Sequence, residues 1–218
     1  MKTFIQTLLP LVLCMTVLSA CTDDYGEVET RTFKLTNEYT TLDISSAFDV
    51  VMSDAVSEPT VTLPEMLFNK LTFKVTNKTL KIGLRTLARE NIQEAQIKLP
   101  QNSNLHVIDA DGACKMIISS VPDMQSISLS GASQLDVSGN ADVLKINISG
   151  ASTLHASELA AGTIKGEISG ASEADVSVCE ELNVKVSGAS FLTYGTSGSE
   201  CNPTVKCPAT GGSTVSKR

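Results

Sequence analysis

A tetrapeptide that recurs at almost constant spacing constrains the fold of this chain more than any other feature. Ser-Gly-Ala-Ser occurs four times, at steps of 19, 20 and 18 residues. The four copies begin at Ser130, Ser149, Ser169 and Ser187. Asp111–Cys114 is a degenerate copy upstream, and Thr210–Ser213 is a last copy displaced by an insertion. A period near 20 residues is typical of solenoid proteins, in which each repeat is one structural unit.

Apolar and polar residues alternate on both sides of each Gly-Ala pair. Around Gly150, Ile148 and Leu154 are apolar, whereas Asn147 and Thr153 are polar. Alternation with a period of two predicts two short strands, and the glycine permits the backbone angles of the corner between them. One coil cannot bury its apolar face alone, but stacked coils can. We therefore predict an all-β fold, a parallel β-helix with coils of about 19 residues.

The composition agrees with a narrow aliphatic core. Aromatic residues make up 4% of the chain, and none occurs between Gln101 and Ser190. The first half is also β-rich, with strands predicted at Phe48–Met52, Thr60–Leu63, Leu71–Val75 and Thr79–Ile82. No Gly/Ser-rich linker separates the halves. We predict that an N-terminal β-rich part, residues 32–100, continues into the repeats, residues 101–218.

The N-terminus has the layout of an export signal. Residues 1–20 combine one lysine with an apolar run and end in Leu-Ser-Ala before Cys21. Small residues before a cysteine resemble the bacterial lipobox, which predicts a lipoprotein signal peptide and lipidation of Cys21. Residues 21–31 are acidic and are predicted to form a flexible tether. We expect an outer-membrane lipoprotein exposed at the cell surface, with a periplasm-facing orientation as the alternative.

Charge excludes one class of partner. The net charge is −7 and the pI about 4.9, without a basic cluster, so we expect no nucleic-acid binding. The anchor predicts a membrane partner, and open strand edges or coil ends invite homo-oligomers. No sequence motif for a cofactor is present, and we expect none.

These features together resemble the auto-transporter adhesin head domain family (head GIN domain), common in Bacteroidetes lipoproteins. The resemblance rests on Ser46–Met52, Thr60–Leu63, Thr79–Leu84 and the Ser-Gly-Ala-Ser coils. It covers residues 32–218 and implies a right-handed, pectate-lyase-like β-helix without an established catalytic activity. The segment from Gly195 to Thr204, which carries Cys201, departs from the family pattern.

The stacked repeats predict one outward-facing row of side chains that could bind a ligand or take part in a reaction. Asp136, His155, Asp175 and Thr193 each lie five residues after their glycine. Such a row could bind a metal or act as acid and base on a polysaccharide; the alternative, which we favour, is a solvated outer face. We therefore assign no metal site and no catalytic residue. Phe191 occupies an outward position and is a candidate ligand contact.

Serines and cysteines receive structural interpretations. The serines beside the corners are predicted to satisfy backbone groups. Cys201 and Cys207 are close in sequence and are candidates for a disulfide outside the cytoplasm. Cys114 and Cys179 are about three coils apart, beyond disulfide reach, and are predicted to be unpaired.

Three functional hypotheses follow. The leading one is a lipid-anchored surface module that binds a protein or glycan ligand without catalysis. The second is a carbohydrate-active β-helix enzyme, a polysaccharide lyase or hydrolase. The third is a periplasmic scaffold or an accessory lipoprotein that binds a small ligand.

Overall fold

The structure is a computed structural model that describes residues 26–35, 38–85 and 95–218. The predicted signal peptide, Cys21 and the start of the tether lie outside these residues. The strands of the N-terminal part are β1 (Val28–Thr32), β2 (Thr41–Ser45), β3 (Asp49–Ser53), β4 (Thr60–Pro64), β5 (Leu71–Thr76), β6 (Thr79–Leu84) and β7 (Gln96–Pro100). A short 3₁₀ helix, Glu65–Lys70, lies between β4 and β5.

The repeats supply the remaining strands of the described chain. These are β8 (Val107–Asp111), β9 (Lys115–Val121), β10 (Ser126–Leu129), β11 (Gln134–Ile148), β12 (Thr153–Ile168), β13 (Glu173–Val186), β14 (Phe191–Gly195), β15 (Thr204–Val205) and β16 (Thr214–Lys217). In the described part of the chain no helix is long and apolar enough to cross a membrane.

The strands stack into two hydrogen-bonded ladders that meet at the corners. The first ladder contains the strands before a corner, in the order β5, β6, β2, β8, β10, followed by the C-terminal segments of β11, β12 and β13. The second contains the strands after a corner, in the order β1, β4, β7, β3, β9, the N-terminal segments of β11 to β13, then β14 and β16. The result is the predicted parallel β-solenoid, with about 6 turns.

The corners stack directly on one another through their backbones. Gly150 has a φ of +77°, and a Cβ there would overlap the carbonyl oxygen of Gly131. The amide of Ala151 donates a hydrogen bond of 2.8 Å to the same oxygen. Glycine is therefore required both for the positive φ and for the close approach of the next coil. The degenerate and last copies join the stack, as predicted, through hydrogen bonds that Gly112 and Gly188 accept from the following coils.

The stack of corners continues to a residue that is not glycine. Ser46 has a φ of +84° and lies against Gly112, where a Cβ would be 2.9 Å from the Ser46 nitrogen. The Ser46 hydroxyl forms hydrogen bonds of 3.2 Å with both the amide and the carbonyl of Leu84. These bonds help to offset the strain of a left-handed conformation in a residue with a side chain.

The N-terminal part does not stack in sequence order. The coil of β2 and β3 lies between two others in the stack. The coil of β6 and β7 pairs with it on the N-terminal side of the solenoid, and β8 and β9 pair with it on the side of the repeats. Antiparallel strands β1, β4 and β5 then cover the outer coil. Both parts share one hydrophobic core, in which Phe48 is fully buried.

Strand β1 corrects the predicted boundary of the tether. The acidic sequence predicts an unpacked segment that includes residues 28–31, but these residues pair with β4 in an antiparallel ladder. The side chains of β1 are largely exposed, so the strand forms through backbone hydrogen bonds, which require no apolar residues. Arg31 adds a contact, with its guanidinium carbon 4.1 Å from the centre of the Phe68 ring.

Candidate functional site

The predicted outward row is present on the second ladder. Asp136, His155, Asp175 and Thr193 lie directly beside one another in β11, β12, β13 and β14. Ile117 of β9 precedes the row, and Ser216 of β16 follows it. The row is therefore a property of the coil register, which the spacing of the glycines sets.

A shallow groove opens at one end of this row, with a volume of about 290 Å³. Its walls come from three successive coils. The lining residues are Ile117, Ile118, Ser119, Asp136, Val137, Ser138, His155, Ser157 and Glu158. Register shifts occur here between Asp136 and Ser138 and between Val137 and Gly139. Such bulges bend strands locally, and they lie where the groove forms.

The groove holds two carboxylates and one imidazole. His155 Nε2 is 3.9 Å from Asp136 Oδ1, and the two side chains are 45% and 38% exposed. Glu158 is exposed at the rim and forms no ion pair within the described residues. An exposed pair at this distance contributes at most about 1 kcal/mol, so the groove is open to solvent and weakly organised by its own charges.

Asp175, unlike the other members of the row, forms an ion pair with an arginine. Arg218 Nε is 3.3 Å from Asp175 Oδ1, and Arg218 Nη2 donates hydrogen bonds to the carbonyl of Val176 and to Ser177 Oγ. The guanidinium crosses over Gly195, where a Cβ would be 2.6 Å from Nη2. The two carboxylates of the row therefore differ: Asp136 lies near His155, whereas Asp175 is paired with Arg218.

The metal interpretation of the row gains no support from this geometry. Among residues 26–35, 38–85 and 95–218, no three His, Cys, Asp or Glu side chains lie close enough together to hold a metal ion. Neighbouring members of a flat row all point the same way and cannot surround an ion.

Phe191 lies on the same ladder but outside the groove. It is 52% exposed and pairs with Glu173 and Thr214. Tyr194, the next aromatic residue, is partly buried against the core. The candidate contact at Phe191 is thus an isolated exposed ring near the last coils.

The corner serines have the structural role that the sequence predicted. Ser133, Ser152, Ser172 and Ser190 are buried. Ser172 Oγ donates a hydrogen bond of 2.9 Å to the carbonyl of Ser169 and accepts one of 3.4 Å from the Ser152 amide. The hydroxyls satisfy buried backbone groups and are not available to a ligand.

The disulfide prediction was wrong. Cys201 pairs with Cys179, with a Cα–Cα distance of 4.5 Å, and Cys207 has a free thiol. The insertion after β14 returns to the preceding coil, which brings Cys201 beside β13, whereas Cys207 donates to the Leu182 carbonyl at 3.8 Å. Cys179, predicted to be unpaired, is therefore cross-linked, because the insertion brings Cys201 within reach of it.

Cys114 is unpaired, as predicted, and buried. It occupies the position of the corner serine in the degenerate copy, and its thiol donates to the Ser46 carbonyl at 2.8 Å. Burial raises the pKa of the Cys114 thiol to about 11. The thiol is therefore a poor nucleophile and belongs to the core.

A second groove, of about 220 Å³, lies on the first ladder and was not anticipated from sequence. It contains Asp43, Asp109 and Asp111 beside Ser128 and Ser130. Burial, and then the nearby charge of Asp43, raise the pKa of Asp109. Lys81 is 3.2 Å from Asp43, and Ser130 Oγ donates to Asp111 at 3.0 Å, so two of the three carboxylates have partners.

Comparison with known proteins gives one family and several similar structures. The model of the family described as "Putative auto-transporter adhesin, head GIN domain" matches residues 38–198. A "putative adhesin" from Bacteroides fragilis is 15% identical, with a TM-score of 0.65, and the match covers 88% of this chain and 97% of that one. A second "putative adhesin", from Parabacteroides distasonis, is 15% identical, with a TM-score of 0.53 over 88% and 98% of the chains.

A "putative lipid binding protein" from Parabacteroides distasonis is also similar. It is 20% identical, with a TM-score of 0.50, and the match covers 88% of this chain and 97% of that one. At these identities the similarity establishes a shared fold. A search of the curated proteins finds no match to this chain.

Proposed function

This chain belongs to the auto-transporter adhesin, head GIN domain family, and from that premise we propose that it is a lipid-anchored binding module of the cell surface. The anchor is Cys21, and the module contacts its partner through the outer face of the second ladder. It carries out no reaction. The partner is a macromolecule on another surface or in the surrounding matrix.

The observation that carries the proposal is the shape of the outer faces. The two grooves described above have volumes of about 290 and 220 Å³ and are open to solvent. Sites that enclose a small molecule are usually deeper and more apolar. A flat ladder with shallow grooves fits the surface of a macromolecule better than it fits a small substrate.

The electrostatics of the row support binding rather than catalysis. A glycosidase needs two carboxylates placed on either side of the scissile bond. Asp175 is held by Arg218, and the two groove carboxylates, Asp136 and Glu158, lie on an open surface rather than enclosed around a bond. The Asp136–His155 contact and the second carboxylate of the same groove, Glu158, are the observations that favour the enzymatic alternative. Turnover of an anionic polysaccharide that is lost in Asp136→Asn would support that alternative.

Protease shaving of intact cells tests the orientation. Surface exposure predicts that external protease digests this chain while a periplasmic marker stays intact. A Cys21→Ser variant should leave the membrane fraction, whereas Cys14→Ser, which changes the signal peptide, should not. Protection of the wild-type chain would favour the periplasmic alternative.

Binding is tested with the purified protein on arrays of proteins and glycans and on immobilised cells. The proposal predicts saturable retention on at least one of these surfaces. Absence of retention on all of them, with a folded protein, would contradict the binding function itself.

A further inference from the structure

The groove on the second ladder has carboxylates that no basic residue neutralises. Among the described residues, the charged partner of Asp136 is His155, and Glu158 has no ion pair there. Some other carboxylates on the outer faces are instead paired with lysine or arginine. Examples are Asp175 with Arg218, Asp43 with Lys81 and Glu181 with Lys206. The groove is therefore electrically complementary to a cation.

The same groove has an aliphatic wall. Ile117 is 42% exposed on the outer face, unusually for an isoleucine, and it lies directly beside Asp136 in the ladder. Hydroxyl groups of Ser119, Ser138 and Ser157 complete the lining. An apolar surface next to two carboxylates matches a side chain with a hydrocarbon stem and a charged end.

The lining argues against a sugar as the occupant. The groove's lining contains no phenylalanine, tyrosine or tryptophan. The groove therefore lacks the large aromatic rings on which a sugar would stack. Phe191, the exposed aromatic of this ladder, is four coils away from Ile117 on the same face.

We propose that this groove receives a lysine or arginine side chain projecting from a protein partner. The stem packs against Ile117, and the cationic end lies between Asp136 and Glu158, with His155 at the rim. Carboxylates bind such groups through charge-assisted hydrogen bonds. The inference rests on the proposed binding function and specifies the class of its partner.

The test uses a blocked tetralysine peptide and the same peptide with acetylated Nε atoms. Titration of each into the protein is followed by NMR at the Ile117 methyl and His155 ring signals. We expect tetralysine to shift these signals and the acetylated peptide to have no effect. Replacing both groove carboxylates, in Asp136→Asn/Glu158→Gln, should weaken binding about tenfold, since each exposed ion pair contributes up to about 1 kcal/mol.

A matched variant separates the groove from the net charge. Asp142→Asn/Glu167→Gln removes the same two charges from exposed positions outside the groove. It should retain the wild-type affinity within about twofold, because screened charges far from the site contribute little. Equal weakening in both variants would overturn the inference and indicate attraction to the acidic protein as a whole.

Two further outcomes distinguish this inference from the broader function. If the protein binds cells or matrix and the groove variant binds equally well, the inference fails while the binding function stands. If a neutral oligosaccharide, rather than tetralysine, shifts the Ile117 and His155 signals, the partner is a glycan and the inference is wrong. If no surface retains the protein, the function itself fails.

Discussion

The repeats and the N-terminal part build the same two ladders by different means. In the repeats each coil follows the previous one along the chain, and a Gly corner fixes its position. In the N-terminal part the coil of β6 and β7 lies outside that of β2 and β3, and Ser46 takes the place of the glycine. The comparison shows that the same ladders form around a largely apolar interior with different connections between the coils.

The residue two positions after the corner shows the difference within the core. In the repeats it is a buried serine that satisfies backbone groups, such as Ser172. In the degenerate copy it is Cys114, and after Ser46 it is Phe48. At this position the side chain is therefore a hydroxyl in the repeats, a thiol in the degenerate copy and a large aromatic ring in the N-terminal part. In the repeats, the same hydrogen bonds recur in each coil and stabilise the interior. In the N-terminal part, a large buried side chain fills the corresponding space.

The strongest test of this comparison exchanges the two corner residues. Gly150→Ser should destabilise the protein by about 3 kcal/mol or more, because the side chain would collide with Gly131 in a left-handed conformation. Ser46→Gly should change stability by within about 1 kcal/mol, since relief of strain offsets the lost hydrogen bonds. Denaturant unfolding measures both, with Ala151→Ser as the exposed control. Equal costs would show that the two corners are equivalent.

The ends of the solenoid are also closed differently, and the disulfide tests this. Antiparallel strands cover the N-terminal end, whereas Cys179–Cys201 ties the insertion to β13. Replacing both cysteines with serine should lower stability by about 3 kcal/mol, as expected for a loop of 22 residues. Cys207→Ser is the control, with an expected change below about 1 kcal/mol. A similar loss in both variants would place the stabilisation in packing and not in the cross-link.

The pH dependence of the free energy of unfolding tests the burial of Cys114, which lies where the N-terminal part meets the repeats. Burial raises the folded-state pKa of Cys114 above the ordinary 9.0 to about 11. The contribution of the neutral thiol to the free energy of unfolding is therefore complete below pH 9 and is lost as the pH rises toward 11. Cys114→Ser should remove about 2 kcal/mol of this decline between pH 8 and pH 11. At pH 7 serine should be tolerated, as at Ser133. Unfolding curves that fall in parallel for both proteins would contradict the burial of the thiol.

The smallest expected effect concerns the hydroxyl ladder. Ser172→Ala removes one donor and one acceptor from buried backbone groups and should cost about 1 to 2 kcal/mol. Ser128→Ala, on the half-buried outer face, should cost less than about 0.5 kcal/mol. Thermal unfolding of the two variants makes the comparison. If they are equal, the corner serines fill space without stabilising the backbone.

The sequence was sufficient for features that the repeat determines locally. The constant spacing of the glycines placed Asp136, His155, Asp175 and Thr193 in one row, and alternation separated inward from outward residues. In each case neighbouring residues along the chain, or one coil away, decide the structure.

Features that depend on an irregular path were not predictable in this way. The partner of Cys201 depends on how the insertion returns to β13, and the position of Glu158 in the groove depends on bulges. The contact of Arg218 with Asp175 spans 43 residues and needs the small surface of Gly195. A single period cannot encode these departures, because each breaks the regular register.

The direct stacking of the corners gives the molecule an adjustable length. Each Gly corner contacts the corner on either side and nothing further along the rod. Duplicating one unit, such as Gly150 to Ser169, would add a coil and lengthen the rod by about 4.8 Å without altering the antiparallel cover at the other end. The length of the rod is thus set by the number of repeats, so natural gain or loss of coils would change that length while the fold is preserved.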